Sequence, residues 1–178
     1  RESGRMMYNC TRTINIGYLA GRGADNNNNS IFIGTESGKD SLDINSTVNL
    51  GDYSAYSAQY LDFGVNVGDR AGYLSENNKF CVSVGHNSSS NSDYFENSIF
   101  IGTYTGSNMT GVNRSSTLIG PRIRGTTNLE GALVLRAGMV NSTTEELTPE
   151  NNTLLIGQSD SNILIRGNME SGADRHFS

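Results

Sequence analysis

INIGYLAG at 14–21 contains the first of six copies of one short pattern. The other copies are IFIG at 31–34, VNLG at 48–51, VNVG at 65–68, VSVG at 82–85 and IFIG at 99–102. Each copy ends in a glycine, and the glycines are 17 residues apart: Gly17, Gly34, Gly51, Gly68, Gly85 and Gly102. Equal spacing over all five intervals is typical of a solenoid, in which each unit stacks on the next.

Each copy alternates with period two, because the residues three and one before the glycine are always aliphatic and the residue between them is Asn, Phe or Ser. This alternation predicts a short β-strand with one buried face. We expect the aliphatic pair to point into the coil and the middle residue to face solvent or a neighbouring chain. A small side chain three residues after each glycine predicts a tight corner: Ala20, Ser37, Ser54, Ala71, Ser88 and Thr105.

The rest of each unit is turn material rich in Asn, Ser and Asp, as in ADNNNNS at 24–30. One unit therefore corresponds to a strand, a corner, a second short strand and a loop that returns to the next coil. At a spacing of about 4.8 Å, six such coils form a parallel β-roll only about 29 Å long.

The period changes after Gly106, because STLIG at 116–120 arrives one residue late. Strand-like segments follow at 132–140, 152–158 and 161–169. The sequence therefore predicts two regions, a β-roll of six coils at 1–106 and a second, differently wound β region at 107–178 that intertwines between chains.

The composition limits the partners of this chain. The net charge is −5 with a pI near 5.0 and no cluster of Lys and Arg, which argues against nucleic acid. No apolar run approaches the roughly 18 residues of a membrane span, so we expect no membrane insertion. Apolar residues make up 35% of the chain, too few for each coil to offset the entropy of ordering its backbone. We therefore expect an obligate homo-oligomer, and we favour a homotrimer.

No motif in the sequence predicts a cofactor or a metal. Cys10 and Cys81 lack the spacing of a zinc site. Calcium at Asp25, Asp40 or Asp43 would have isolated carboxylates, whereas the ion prefers six or more oxygen ligands.

Paired carboxylates leave one enzymatic alternative open. A glycosidase needs two acids about 5 to 9.5 Å apart. The candidates are Glu145, Glu146, Asp160 and the pair Asp52 and Asp69, which hold equivalent places in adjacent coils. Neither His86 nor His176 lies in a recognisable nucleophile motif. We interpret these acids as solvated turn residues and expect no catalytic activity.

Aromatic residues near the corners are the best candidates for binding. The candidate receptor-binding residues are Tyr18, Tyr53, Tyr56, Tyr73, Tyr104 and Arg70. Aromatic rings beside polar groups suit sugar faces and protein epitopes alike. The alternative is that these rings pack between coils or between chains.

The octapeptides INIGYLAG, IFIGTESG, VNVGDRAG and IFIGTYTG resemble the repeats of two related groups. One comprises the left-handed β-roll heads of trimeric autotransporter adhesins. The other comprises bacteriophage tail fibres that end in a self-cleaving intramolecular chaperone. Both groups are homotrimers, so the resemblance implies a trimer here as well.

Three features favour the tail fibre. The closing segment, NTLLIGQSDSNILIRGNMESGADRHFS, is similar to the last β segment ahead of the chaperone, and such fibres are cut after a serine, which would make Ser178 a processing end. The adhesins would instead show a stalk of coiled-coil heptads, and this sequence contains none. The resemblance thus implies an extracellular receptor-binding fibre on the virion, which attaches to a bacterial surface polysaccharide or outer-membrane protein. A polysaccharide-degrading tailspike and a bacterial adhesin head are the alternatives.

Overall fold

The computed structural model describes residues 2–124, 128–136, 149, 151–159 and 162–168. These residues form an all-β fold, as the sequence predicts. The strands are β1 (Ile14–Ile16), β2 (Ile31–Ile33), β3 (Val48–Leu50), β4 (Val65–Val67), β5 (Val82–Val84), β6 (Phe95–Glu96), β7 (Ile99–Ile101), β8 (Asn113–Arg114), β9 (Thr117–Ile119), β10 (Leu133–Arg136), β11 (Thr153–Ser159) and β12 (Asn162–Asn168).

The coils stack directly above one another, which confirms the predicted parallel solenoid. Ile33 pairs with Leu50 and Leu50 pairs with Val67, each in parallel register 17 residues further on. A second wall is held by isolated parallel bridges such as Asp25 with Leu42 and by the β6–β8 pair. Equivalent residues of successive units therefore form columns along the solenoid axis.

The strand triplets face the opposite way from our prediction. The middle residues are buried in β2 to β5 and in β7, as Phe32 and Asn49 illustrate, whereas the aliphatic residues beside them are half-buried or exposed. The prediction that the aliphatic pair points inward is wrong. The reason is steric, because the interior of one coil is narrow. Its corner brings Gly38 against the ring of Phe32, and this leaves room for one side chain per strand.

Small and polar side chains fill most of the interior. Asn66 Nδ2 donates to Asn49 Oδ1 at 2.8 Å, and Asn49 Nδ2 donates to Thr47 Oγ1 at 2.8 Å. Asn27 accepts from the Ile44 backbone N–H at 2.8 Å and donates to Ser41 Oγ at 2.7 Å. Because these buried groups have partners, a coil with few apolar residues still folds, which accounts for the low apolar fraction.

The repeated glycine is required by both its backbone and its surroundings. Gly34 has φ +138°, and a Cβ there would lie 2.3 Å from the carbonyl oxygen of Gly51 in the next coil. No L side chain fits this position. The glycine column therefore sets the close stacking of the coils.

The sheet continues past residue 106 without a break. Strands β1 to β5, β7, β9, β10 and β11 pair in parallel, and β12 returns antiparallel to β11. Ile101 pairs with Ile119, eighteen residues later, whereas Ile119 pairs with Leu135, only sixteen residues later. Within the described residues, the coil length therefore changes after Gly106 while the sheet continues. Intertwining of 107–178 between chains stays a prediction.

The C-terminal coils have the larger apolar core. Its buried residues include Phe95, Phe100, Met109, Leu118 and Leu155. In the described part of the chain, no helix has the length and apolar character that crossing a bilayer requires.

Candidate functional site

Two corner columns bring most of the predicted binding residues together. Positions two and five after the glycine recur every 17 residues, so their side chains stack from coil to coil. The first column contains Glu36, Tyr53 and Arg70, and the second contains Lys39, Tyr56 and Tyr73. We call these six residues the tyrosine cluster.

The rings of the cluster stack on each other and on the neighbouring cations. Tyr56 and Tyr73 are nearly parallel, with centroids 5.3 Å apart and an interplanar angle of 16°. Lys39 Nζ lies 5.3 Å from the centroid of Tyr56, and the Arg70 guanidinium lies 5.6 Å from that of Tyr53. These cation–π contacts hold two positive charges beside phenol groups at the surface.

An ion pair fixes the lysine of the cluster. Lys39 Nζ donates to Glu36 Oε2 at 2.8 Å, and this hydrogen bond raises the pKa of Lys39. The ammonium is therefore charged over the whole physiological range. Sequence reasoning missed both residues, although each lies 17 residues before a predicted tyrosine, namely Tyr56 and Tyr53.

The other two predicted residues lie apart from the cluster. Tyr104 packs edge-on against His86, with centroids 5.4 Å apart and an angle of 90°. Tyr18 is 57% exposed, two coils before Tyr53. Packing between coils, the alternative that the sequence left open, describes Tyr56 and Tyr73 well. The edges and hydroxyl groups of the cluster remain available because its tyrosines are only partly buried.

Several corner side chains sit on left-handed backbone. Tyr53, Arg70 and Tyr104 have φ of 56°, 55° and 58°. Residues other than Gly, Asn and Asp rarely adopt this conformation, but Leu19 and Glu36 share it in the same column, so it is a property of the coil and does not by itself mark binding residues. Asn87 occupies the same column with φ 53°, so an asparagine would fit there with less strain.

The carboxylates that the sequence raised for catalysis make local contacts where they are described. Asp52 accepts a hydrogen bond from the Thr35 backbone N–H at 2.6 Å. Asp69 Oδ2 lies 3.0 Å from His86 Nδ1. Among the residues in the described ranges, no three His, Cys, Asp or Glu side chains could hold a metal ion together, and this includes Asp25, Asp40 and Asp43. Glu145, Glu146, Asp160 and Ser178 lie outside the described residues.

A stripe of apolar side chains follows the strand face of the solenoid. The residues three and one before each glycine point outward from β1 to β5 and β7, and we call this stripe the aliphatic ladder. Ile14 and Ile16 in the first coil are 50% and 56% exposed, Ile33, Ile99 and Ile101 are 37% to 38% exposed, and the pairs of β3 to β5 are half-buried. Phe63 and Phe80, two residues before their strands, stack at 5.1 Å with an angle of 3° and are both exposed. Contiguous, partly exposed apolar surface of this kind marks an interaction site.

Comparison with family models, with curated proteins and with solved structures gives no significant match for this chain. The fold itself defines the class of the protein, a parallel β-solenoid with turns of about 17 residues.

Proposed function

We propose that this chain is the structural and receptor-binding part of a phage tail fibre. It acts as a homotrimer on the outside of the virion and attaches to a surface glycan or outer-membrane protein of a bacterium. The observation that carries the proposal is the aliphatic ladder, because a single chain leaves it in contact with water.

The ladder supports association because the coil interior has no room for it. The middle residues of the strands, such as Phe32 and Phe100, already fill the interior. The outward pairs, such as Val65 and Val67 in β4, find no further layer among the described residues. Burying them against another copy would remove apolar area from water at about 25 cal/mol per Å². The choice of three copies comes from the resemblance of the repeats.

Attachment follows from the tyrosine cluster and the number of copies. Partly exposed phenol rings beside Arg70 and Lys39 offer flat apolar faces with charged neighbours, which suits sugars and protein loops. Three copies engaging one surface raise the avidity above that of a single site. Weak individual contacts are then sufficient.

Sedimentation equilibrium tests the trimer. We expect a trimer for the chain and a monomer for Val67→Asp with Val84→Asp, because charges on the ladder cannot be buried together. Gln59→Asp, on the other wall, is the control and should remain a trimer. A well-folded monomer of the unchanged chain would contradict the trimer.

Binding to arrayed bacterial surface glycans and outer-membrane vesicles tests attachment. We expect retention by the trimer and loss of at least tenfold for Tyr53→Asn with Arg70→Asn, which keep a residue suited to left-handed backbone. The length of each bound glycan should stay unchanged. Shortened glycans would instead support the polysaccharide-degrading alternative, and no retention on any surface would contradict attachment.

A further inference from the structure

A shallow furrow lies on the second wall of the solenoid, away from the tyrosine cluster. Its volume is about 250 Å³, and it spans three coils. One side is lined by Asn77, Tyr94 and Val112, the other by Lys79, Glu96 and Arg114, and Phe95 lies between them.

The furrow forms where the repeat is interrupted. Phe95 pairs with Asn113, eighteen residues later, so one extra residue enters the wall just before Asn113. The Val112 backbone N–H donates to Asn128 Oδ1 at 2.9 Å, and the Val112 side chain remains 38% exposed. The regular coils below lack this extra residue. The furrow is thus a local departure from the repeat rather than a general property of the wall.

The two sides of the furrow differ in chemistry. Tyr94 is 52% exposed and, with Val112, offers an apolar surface. Opposite them, Arg114 donates from Nε to Glu96 Oε2 at 3.0 Å, which leaves further guanidinium N–H groups for another acceptor. Lys79 is exposed, and its ammonium makes no hydrogen bond or ion pair within the described part of the chain.

The lining itself contains two cations and one carboxylate on an acidic chain. Lys79 and Arg114 face one carboxylate, Glu96, whereas the whole chain has a net charge of −5. Glu76 and Asp93 belong to the neighbouring column, and Asp62 and Glu130 continue the column of Lys79, Glu96 and Arg114 at its two ends, but none of these four acids lines the furrow. An anionic group bound here would find a cation on the charged side.

We propose that the furrow binds one carboxylate-bearing sugar residue, a uronic acid, of an acidic surface polysaccharide. Tyr94 and Val112 pack against the apolar face of the pyranose ring, and Lys79 with Arg114 holds the carboxylate by charge-assisted hydrogen bonds. The proposal rests on attachment to a surface glycan and adds a site separate from the tyrosine cluster.

Ligand titration by NMR with methyl β-D-glucuronide and methyl β-D-glucoside tests the site in the intact chain. We expect the glucuronide to bind in the millimolar range, at least fivefold more tightly than the glucoside. Lys79→Gln with Arg114→Gln should abolish this preference. Tyr94→Asn should weaken the binding of both sugars at least fivefold. Asparagine fits this backbone, because Asn77 holds the equivalent position in the preceding coil with φ 54°. Tyr60→Asn is the matched control, because Tyr60 is exposed in the same column with φ 54° but lies two coils from Tyr94 and outside the furrow lining, and it should leave both affinities unchanged.

The outcomes separate this site from the proposed function. Equal affinity for the two sugars, no binding of either, or glucuronide binding that is insensitive to Tyr94→Asn would overturn the furrow. If the chain is retained on bacterial surfaces while these variants do not change the affinity for either sugar, the attachment proposal is supported and the furrow proposal is wrong. If the furrow binds glucuronide but no bacterial surface retains the chain, the furrow proposal is supported and the attachment proposal is wrong. Unchanged sedimentation of each variant shows that its fold is intact.

Discussion

At the scale of single residues, the repeated left-handed corners account for the abundance of asparagine. Positions two, four, six, nine and twelve after the glycine have φ between 47° and 58° in the non-glycine residues of the first five repeat coils. Asparagine often occupies them, as Asn26, Asn29 and Asn91 show. Other side chains at these positions cost roughly 1 to 2 kcal/mol each. The sequence identified these segments as turns but did not reveal that the turns share one conformation.

Leu74 occupies such a corner with φ 50° and is 41% exposed. Leu74→Asn should increase the free energy of unfolding by about 1 kcal/mol, because asparagine adopts this backbone with less strain. Chemical denaturation measures the change. Leu42→Asn makes the same chemical change at a bridge position without positive φ and should give no increase. A loss of stability in Leu74→Asn would show that the leucine side chain has a packing role.

Cys81 provides a second prediction at this scale, because its burial raises the pKa of the thiol to about 11. In the folded chain the neutral thiol is favoured, so its contribution to stability is complete below pH 9 and is lost as the pH rises through 11. The free energy of unfolding should decrease from pH 8 to pH 10, and the decrease should be about 1 kcal/mol larger in the unchanged chain than in Cys81→Ala. An equal difference in both would contradict this linkage. Thiol labelling at pH 8 should modify Cys10 well before Cys81, which is 5% exposed.

At the scale of one coil, the middle residue of the strand is matched in size to a residue six positions later. Phe32 lies across from Gly38, where a Cβ would come within 2.1 Å of the ring, and Phe100 lies across from Gly106 in the same way. The smaller Asn49 faces Ala55. Phenylalanine thus occurs only opposite glycine, whereas asparagine occurs opposite either alanine or glycine, as Asn66 and Gly72 show.

A double-mutant cycle tests this size matching. Gly38→Ala should destabilise the chain by about 2 kcal/mol or more, because the added methyl group overlaps the Phe32 ring. In a Phe32→Asn background, the same change should cost less than about 1 kcal/mol, since Asn49 and Ala55 already form this pair. The free energy of unfolding of all four chains gives the coupling. Additive effects would show that the two positions are independent.

The sequence predicted the stacked coils but not the direction of their side chains, for a physical reason. Alternation such as Ile31-Phe32-Ile33 indicates that the two faces of the strand differ, and the 17-residue spacing indicates that equivalent residues of successive coils stack. Neither fixes which face is inside, because that depends on the width of the coil and on what covers the outside. The size relation between Phe32 and Gly38 was visible in the sequence and is the signal that would have given the correct direction.

The candidate site was predictable to the same extent. Adding or subtracting 17 places Lys39 and Tyr73 beside Tyr56 without any structure. The furrow at Tyr94 was not predictable, because it depends on where the extra residue before Asn113 leaves the wall. Regular repeats therefore reveal columns, whereas interruptions must be seen in three dimensions.

At the scale of the whole molecule, the solenoid is a stack of nearly independent units, so removing one unit should preserve the fold. Deletion of 52–68 removes 17 residues and joins Gly51 to Asp69. The joined coil pairs Asn49 with Gly72, a combination that fits because Asn66 and Gly72 already share a coil. We expect cooperative unfolding close to that of the full chain. Attachment through the tyrosine cluster should be weakened, since Tyr53 and Tyr56 are lost.

Deletion of 35–51 is the matched control, because it also removes 17 residues and keeps the period. It joins Gly34 to Asp52, so Ala55 takes the place of Gly38 opposite Phe32. The Cβ of Ala55 would then overlap the Phe32 ring, as a side chain at Gly38 would. We expect this chain to lose at least about 2 kcal/mol relative to the first deletion. Thermal and chemical unfolding of the two chains measure the difference. Equal stability would show that coil length alone determines stacking, whereas a less stable chain after deletion of 35–51 would show that the interior of each coil is fitted residue by residue.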